Sequence, residues 1–211
     1  MKRLGLQILC LLAGSIFAVG QSDPPNAPSA MRSASSYQPI TGRQRLNWIV
    51  DNTLGPETLT VGLFSAGFGT ARDAPAEYGP HWGGFADRYG MRLTGVSTGN
   101  VIEAGLGALW GEDPRYRNFR NPSDSFKDRA RRVVVMAFVA HDRRGNLMPA
   151  YARYIATPGS NFLSNTWRVD SEATNHAAVL RTVWGFVGLM GKNAFIEFWP
   201  DVQQRVFHKN R

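Results

Sequence analysis

Apolar residues recur at three- and four-residue intervals along most of this chain. In "RQRLNWIVDNTLGP", Leu46, Ile49, Val50 and Leu54 share one helical face. Gly55 closes that helix and Pro56 suits the first position of the next. The second helix, "PETLTVGLFSAGFGTARD", sets Gly62, Ala66 and Thr70 on one row. A long helical pattern then runs from about Gly83 to Trp110, and Pro114 stops it because proline disfavours helix at the preceding Asp113. "PAYARYIATPGSNFLSNTW" predicts a helix broken near Pro158-Gly159. "SEATNHAAVLRTVWGFVGLMGKNAFIEFW" predicts a long helix opened by Ser171 and ended by Pro200.

One segment resists this period. In "FKDRARRVVVMAFVAHDRRG" the run "VVVMAFVA" is β-branched and fits a strand, with Arg143 to Asn146 as a hairpin turn. Its charged approach and Gly145 fit a helix with a glycine cap equally well in kind, and helix is preferred. The expected fold is therefore mainly α: a compact bundle of short and long glycine-rich helices, with a β-hairpin around 132–156 as the main alternative.

The two ends of the pattern set the domain organisation. Met1-Lys2-Arg3 is basic, Leu4 to Val19 is mostly apolar, and Ala18-Val19-Gly20 places small residues before Gln21. This has the form of a secretory signal peptide over 1–20, with a retained membrane anchor as the alternative. Residues 21–41 are rich in Pro, Ser and Ala and read as a flexible leader. Residues 42–211 suit a single helical domain. Cys10, the single cysteine, lies within the signal segment. An exported mature chain would hold no disulfide and no cysteine chemistry.

Glycine is the second departure from an ordinary helical pattern. Nine glycines lie between Gly79 and Gly111, and each costs about 1 kcal/mol relative to alanine inside a helix. Gly95, Gly99, Gly107 and Gly111 share a four-residue series, interrupted by Glu103. Gly62 on the second helix and Gly185 and Gly188 on the last extend the theme. Absent side chains let helices approach closely, a device commonest in membranes. The longest windows free of charge, Thr58–Ala71 and Tyr154–Trp167, hold only fourteen residues each, whereas a bilayer core requires about twenty. Helices packed against or partly within a membrane surface are expected, or a soluble bundle, rather than a polytopic channel.

Charge adds a partner class. The chain carries +8, and the mature chain, without Lys2 and Arg3, has 22 basic against 16 acidic residues or +6, which outside the cytoplasm points to anionic lipid or acidic envelope components and not to nucleic acid. Residues 115 to 132 hold seven basic and two acidic side chains with Tyr116, Phe119 and Phe126 interleaved. That mix suits an anionic surface or a solvated helix face.

Candidate chemistry is sparse. His81, His141, His176 and His208 show no metal-ligand spacing, and no nucleophile elbow, P-loop or dinucleotide fingerprint is present. No cofactor or metal is expected. Glu103, buried in a glycine row, is expected to pair with an arginine, with a catalytic acid or a solvent-facing carboxylate as alternatives. The corner "GEDPRY" brings Glu112, Asp113, Arg115 and Tyr116 together. Asp113 can bond the backbone beyond Pro114 while Arg115 pairs with it, or the same groups can hold a head group or cation.

"ALWGEDPRYRNF", "HDRRGNLMPAYARY", "SNFLSNTW" and "NAFIEFWPDV" resemble a group of bacterial secreted or envelope proteins with a DPRY-type corner. The resemblance spans roughly residues 42 to 207. It implies a helical exported protein and carries no activity and no catalytic residue. The expectation is a non-enzymatic envelope component with glycine-packed helices, associated with a membrane, a partner or itself, in the periplasm or at the outer membrane. The rival is an envelope enzyme acting on a lipid or acidic polymer through Glu103 or the Glu112/Asp113/Arg115 corner.

Overall fold

The computed structural model describes residues 37–117 and 124–207. The signal segment, the leader up to residue 36, Phe119 and His208 lie outside the described residues.

Thr41 starts the bundle. Its hydroxyl accepts from Gln44 N while Gln44 Oε1 accepts from Thr41 N, a reciprocal cap at the head of α1 (Gly42–Leu54). Gly55 ends α1 by donating to Asp51 O, and Pro56 opens α2 (Pro56–Ala71). α3 (Trp82–Trp110) is the spine, about 43 Å long at 1.5 Å per residue. It stops at Gly111, whose φ of 85° is the left-handed cap conformation, with its N–H on Gly107 O. α1 and α2 pack on α3, which also packs on α5 (Tyr151–Leu163). α5 in turn meets α6 (Asn175–Phe207), and α6 carries α4 (Phe126–Val135).

The ambiguous segment resolves into both structures. Ser125 and Asp128 cap α4 reciprocally, and the helix ends at Val135. The chain then turns into an antiparallel hairpin, β1 (Val139–His141) with β2 (Leu147–Pro149), Ala140 facing Met148. Gly145, at φ 86°, belongs to the hairpin turn and is not a helix cap. Asp142 locks that turn by accepting from Arg144 N and Asn146 N.

Two expected breaks do not occur. Pro158 lies inside α5 and Pro200 inside α6. Each removes one donor, and flanking packing carries both helices through. α6 also begins later than Ser171: Thr174 takes the cap role, accepting Ala177 N at 3.1 Å.

The glycine row is not one continuous seam. A Cβ at Gly62 would meet the Tyr89 ring at 2.8 Å, at Gly99 the Ser160 hydroxyl at 3.1 Å, and at Gly185 the Thr157 methyl at 3.1 Å. Gly107 lies against the Arg45 guanidinium at 3.0 Å. Gly111 is the cap just described, Gly95 has only Arg168 at 3.9 Å, and Gly188 faces open space. What the missing side chains mostly admit is another helix's side chain, as Gly69 does for Arg88, whereas Gly84 admits the Tyr78 and Gly79 carbonyls of the preceding loop.

The packing is inverted relative to an ordinary soluble bundle. Among the described residues, eight of the ten buried hydrophobic ones are alanines, joined by Val133 and Met136. The largest fully buried side chains are Glu197, Asn193, Asp113 and Ser164. Phe64 is 76% exposed, Phe68 64%, Trp82 84% and Trp184 68%. Small and polar groups sit inside; large apolar ones face out.

Candidate functional site

Each polar residue of the DPRY corner is fastened to the fold. Asp113 joins β1 through its N–H on His141 O at 2.9 Å. Its buried carboxylate accepts from Arg115 N (3.1 Å) and Arg115 Nη2 (2.6 Å), closing the turn around Pro114. Burial pushes this carboxyl up, and the Arg115 hydrogen bonds outweigh it, so Asp113 titrates below the usual aspartate range. Glu112 accepts from Ala152 N at 3.0 and 3.2 Å and from Trp110 Nε1 at 2.6 Å. It thereby places a carboxylate at the N-terminus of α5, where Ala150 supplies no side-chain cap. Tyr116 reaches across to α6 and donates to Glu197 Oε2 at 2.7 Å.

The end of the leader is latched to this corner. The Tyr37 ring stacks on His141 with centroids 5.6 Å apart, and Arg117 lies 4.7 Å over its face. Its hydroxyl donates to Asp113 Oδ2 at 3.1 Å. Burial and the Asp113 charge push the Tyr37 hydroxyl up to about 12. A raised folded value favours the fold below the ordinary tyrosine range, and that benefit is lost as pH climbs from about 10 to 12. Tyr37→Ala is expected to cost about 2 kcal/mol and Tyr37→Phe about 1 kcal/mol in denaturant melts. The phenylalanine variant should also lack part of the wild-type loss between pH 10 and pH 12.

Glu103 has its arginine, and it comes from α5. Arg153 Nε donates to Glu103 Oε1 at 2.9 Å. The same guanidinium serves Met136 O (3.1 Å), Ala137 O (3.0 Å) and Pro114 O (3.3 Å), tying the spine to the end of α4 and to the corner. Burial pushes Glu103 above the usual glutamate range against the pull of Arg153. Arg88 and Arg92 are not its partners. Arg88 is spent on the loop after α2, donating to Gly79 O at 2.7 Å and Pro75 O at 2.8 Å.

Sequence reasoning missed a second buried carboxylate. Glu197 on α6 accepts from Tyr116, from Arg129 Nε at 3.0 Å and from Arg132 Nη1 at 3.3 Å. Arg129 also holds Asp201 and Arg132 holds Asp124. Among the described residues of the basic stretch 115–132, Arg115, Arg117, Arg129 and Arg132 are thus held in internal pairs. That weakens its case as a free anionic-surface footprint.

Of the five corner and row candidates, only Glu103 lines a half-open cavity of about 650 Å³ between α2, α3, α5 and α6. Glu112, Asp113, Arg115 and Tyr116 do not line it. Its wall carries Arg88, Arg92, Arg153, Arg168, Arg181 and Lys192 against Glu57, Glu103 and Glu172, so cations outnumber carboxylates two to one. Gly95, Gly99, Gly185 and Gly188 form a bare floor. Nothing in the sequence brings residue 168 or 181 to residue 92; the crossing of three helices does. No family model matches the chain, and no curated protein or solved structure shows significant similarity to it.

Proposed function

We propose that the protein is a non-enzymatic exported component of a bacterial cell envelope whose bundle lies with its apolar exterior against an anionic membrane. The observation that carries this is the inversion of the packing. α2 is free of charge from Thr58 to Ala71 and shows Val61, Leu63, Phe64 and Phe68 to the outside. α6 shows Val179, Val183, Trp184 and Val187. Contiguous apolar faces of this kind need a cover. No helix among the described residues is long and apolar enough to cross a membrane, so the cover fits a surface or shallow insertion. Without Lys2 and Arg3 the mature chain holds 22 basic and 16 acidic residues, and this net charge of +6 favours an anionic leaflet; Arg72 at the end of α2 lies 5.2 Å over the Phe68 ring, a position from which its head reaches phosphates.

Vesicle flotation tests this directly. The mature chain is expected to rise with vesicles of phosphatidylcholine and phosphatidylglycerol, and less with phosphatidylcholine alone. Phe64→Ser with Phe68→Ser removes two exposed rings and is expected to weaken binding by about 100-fold or more, at unchanged helical circular dichroism. Wild-type protein that stays at the bottom as a dimer would assign the face to a second copy and overturn the membrane reading.

One observation favours an enzyme instead: Glu103, with its raised carboxyl, opens on the cavity. Its engagement with Arg153 on the one described oxygen contact fits a structural pair better, and the corner residues offer the cavity no second acid or base.

A further inference from the structure

The cavity is built with more donors than the fold uses. Arg181, on α6, is fixed at both terminal nitrogens. Nη1 donates to Glu172 O at 2.7 Å, and Nη2 to Asn165 Oδ1 at 2.6 Å and Asn161 O at 3.1 Å. Its Nε is buried without a hydrogen-bond partner. Buried donors left unmatched are rare because each forfeits its hydration.

The charges are unmatched in the same place. Glu172 is committed to Arg168 Nη1 at 2.6 Å, and Arg168 also reaches Ser164 Oγ, which Arg181 shares. Arg181 therefore has acceptors but no carboxylate of its own. Burial, then the nearby Arg168 charge, weakens its hold on the proton. Arg92, on α3, has no hydrogen-bond or ion-pair partner among the described residues, and burial acts on it in the same direction. Arg92, desolvated and without a counter-ion, on a wall where cations outnumber carboxylates two to one, is a standing attraction for an anion.

The rest of the wall is mixed, with Asn52, Thr58, Asn100 and Ser160 beside an apolar strip. Trp184, Leu189 and Val96 form that strip together with the glycine floor. Gly188 has nothing within 4 Å of where a Cβ would stand, so the room is real at the level of single atoms. A bare inorganic ion would leave most of about 650 Å³ empty.

We infer that this cavity binds an amphipathic anion, a carboxylate or phosphate group on an apolar chain. Its oxygens meet the Arg92 guanidinium in the field of Arg168 and Arg181, and its chain lies over the glycines against Trp184 and Leu189. The inference goes beyond the membrane reading and stands without it, since a chain that never touches a bilayer still holds the cavity.

The test uses a brominated fatty acid, 9,10-dibromostearate, added below its micellar concentration to the full mature chain while indole fluorescence is followed. Saturable quenching is expected, and Trp184→Phe should remove most of it. Gly188→Leu puts a side chain into open space without a clash, so the fold is retained while quenching is lost. Arg92→Gln is expected to weaken binding by about tenfold. The matching dibrominated alcohol should bind at least about tenfold more weakly than the acid. Dodecyl phosphate and inorganic phosphate, run as competitors, separate an alkyl phosphate from a bare anion. Equal binding of acid and alcohol, quenching untouched by Gly188→Leu, or displacement by inorganic phosphate as readily as by dodecyl phosphate would each overturn the inference. Gly188→Leu that binds dibromostearate poorly yet still floats with vesicles would keep the two readings apart.

Discussion

Glu197→Ala is expected to lower the stability of this protein by about 3–5 kcal/mol, the largest loss from a single carboxylate in the chain. The side chain has 0% exposure and is the shared acceptor of Tyr116, Arg129 and Arg132. Removing it strands two guanidiniums, 12% and 21% exposed, beside a cavity the size of a carboxylate. Asp201 and Asp124 retain one arginine each, which is why the loss should stop short of unfolding. For a chain of this size the melting temperature should drop by roughly 10 °C. Glu197→Gln keeps the shape and one acceptor and should lose about half as much. Replacing the whole cluster tests the cause: Glu197→Met with Arg129→Met, Arg132→Leu and Tyr116→Phe should recover most of the loss, because no charge is then left unpaired. If Glu197→Ala melts with the wild type, the cluster is a surface network and the inverted core is misassigned.

The helical plan was legible in the sequence because its signals are local. Gly55-Pro56 marks one boundary, Pro114 sets the stop after Trp110, and Asp113 with Arg115 closes the turn their spacing suggested, while Gly111, read as part of the packing row, is the cap. Pro158 and Pro200 misled for the complementary reason: a proline's cost is local, whereas helices packed on both neighbours are held from outside. Glu103 was legible as a carboxylate needing an arginine, and its partner was not, since Arg153 is fifty residues away and marked by no motif. Glu197 lies eighty-one residues from Tyr116 and looked like one more charge near a helix end.

The inversion was hidden for a different reason. Helical periodicity shows that two faces differ or, in α2 and α6, hardly differ; it does not say which face turns inward. Glycine and alanine count as small at any depth, so a row of them reads as a close contact. Some of these glycines instead admit arginine side chains: Gly107 for Arg45 and Gly69 for Arg88. A buried arginine needs both acceptors and room, and in this chain exposed carbonyls at helix ends give the first while missing side chains give the second. Arg45 shows the scheme, donating to Glu112 O at 2.5 Å from beside Gly107.

Arg153→Met should cost about 3–5 kcal/mol at neutral pH, and the deficit should shrink on acidification. Part of the loss is three carbonyls, Met136 O, Ala137 O and Pro114 O, left without their donor. The rest is Glu103, whose charge would then be buried without a cation. Burial already raises this carboxyl in the folded state, so its protonated form is the one the fold favours. The stability it contributes is present below the ordinary glutamate value of 4.5 and is lost as pH rises through the folded value. Without Arg153 that folded value moves further up, and the window of loss widens toward neutrality. Denaturant melts at pH 5 and pH 7 should therefore separate Arg153→Met from wild type less at the lower pH. Glu103→Gln removes the titrating group: alone it should be the milder variant, and combined with Arg153→Met it should recover about 1–3 kcal/mol at pH 7 and little at pH 5. A deficit for Arg153→Met that is the same at both pH values, with no recovery from Glu103→Gln, would mean the guanidinium serves the three carbonyls alone and the glutamate faces water.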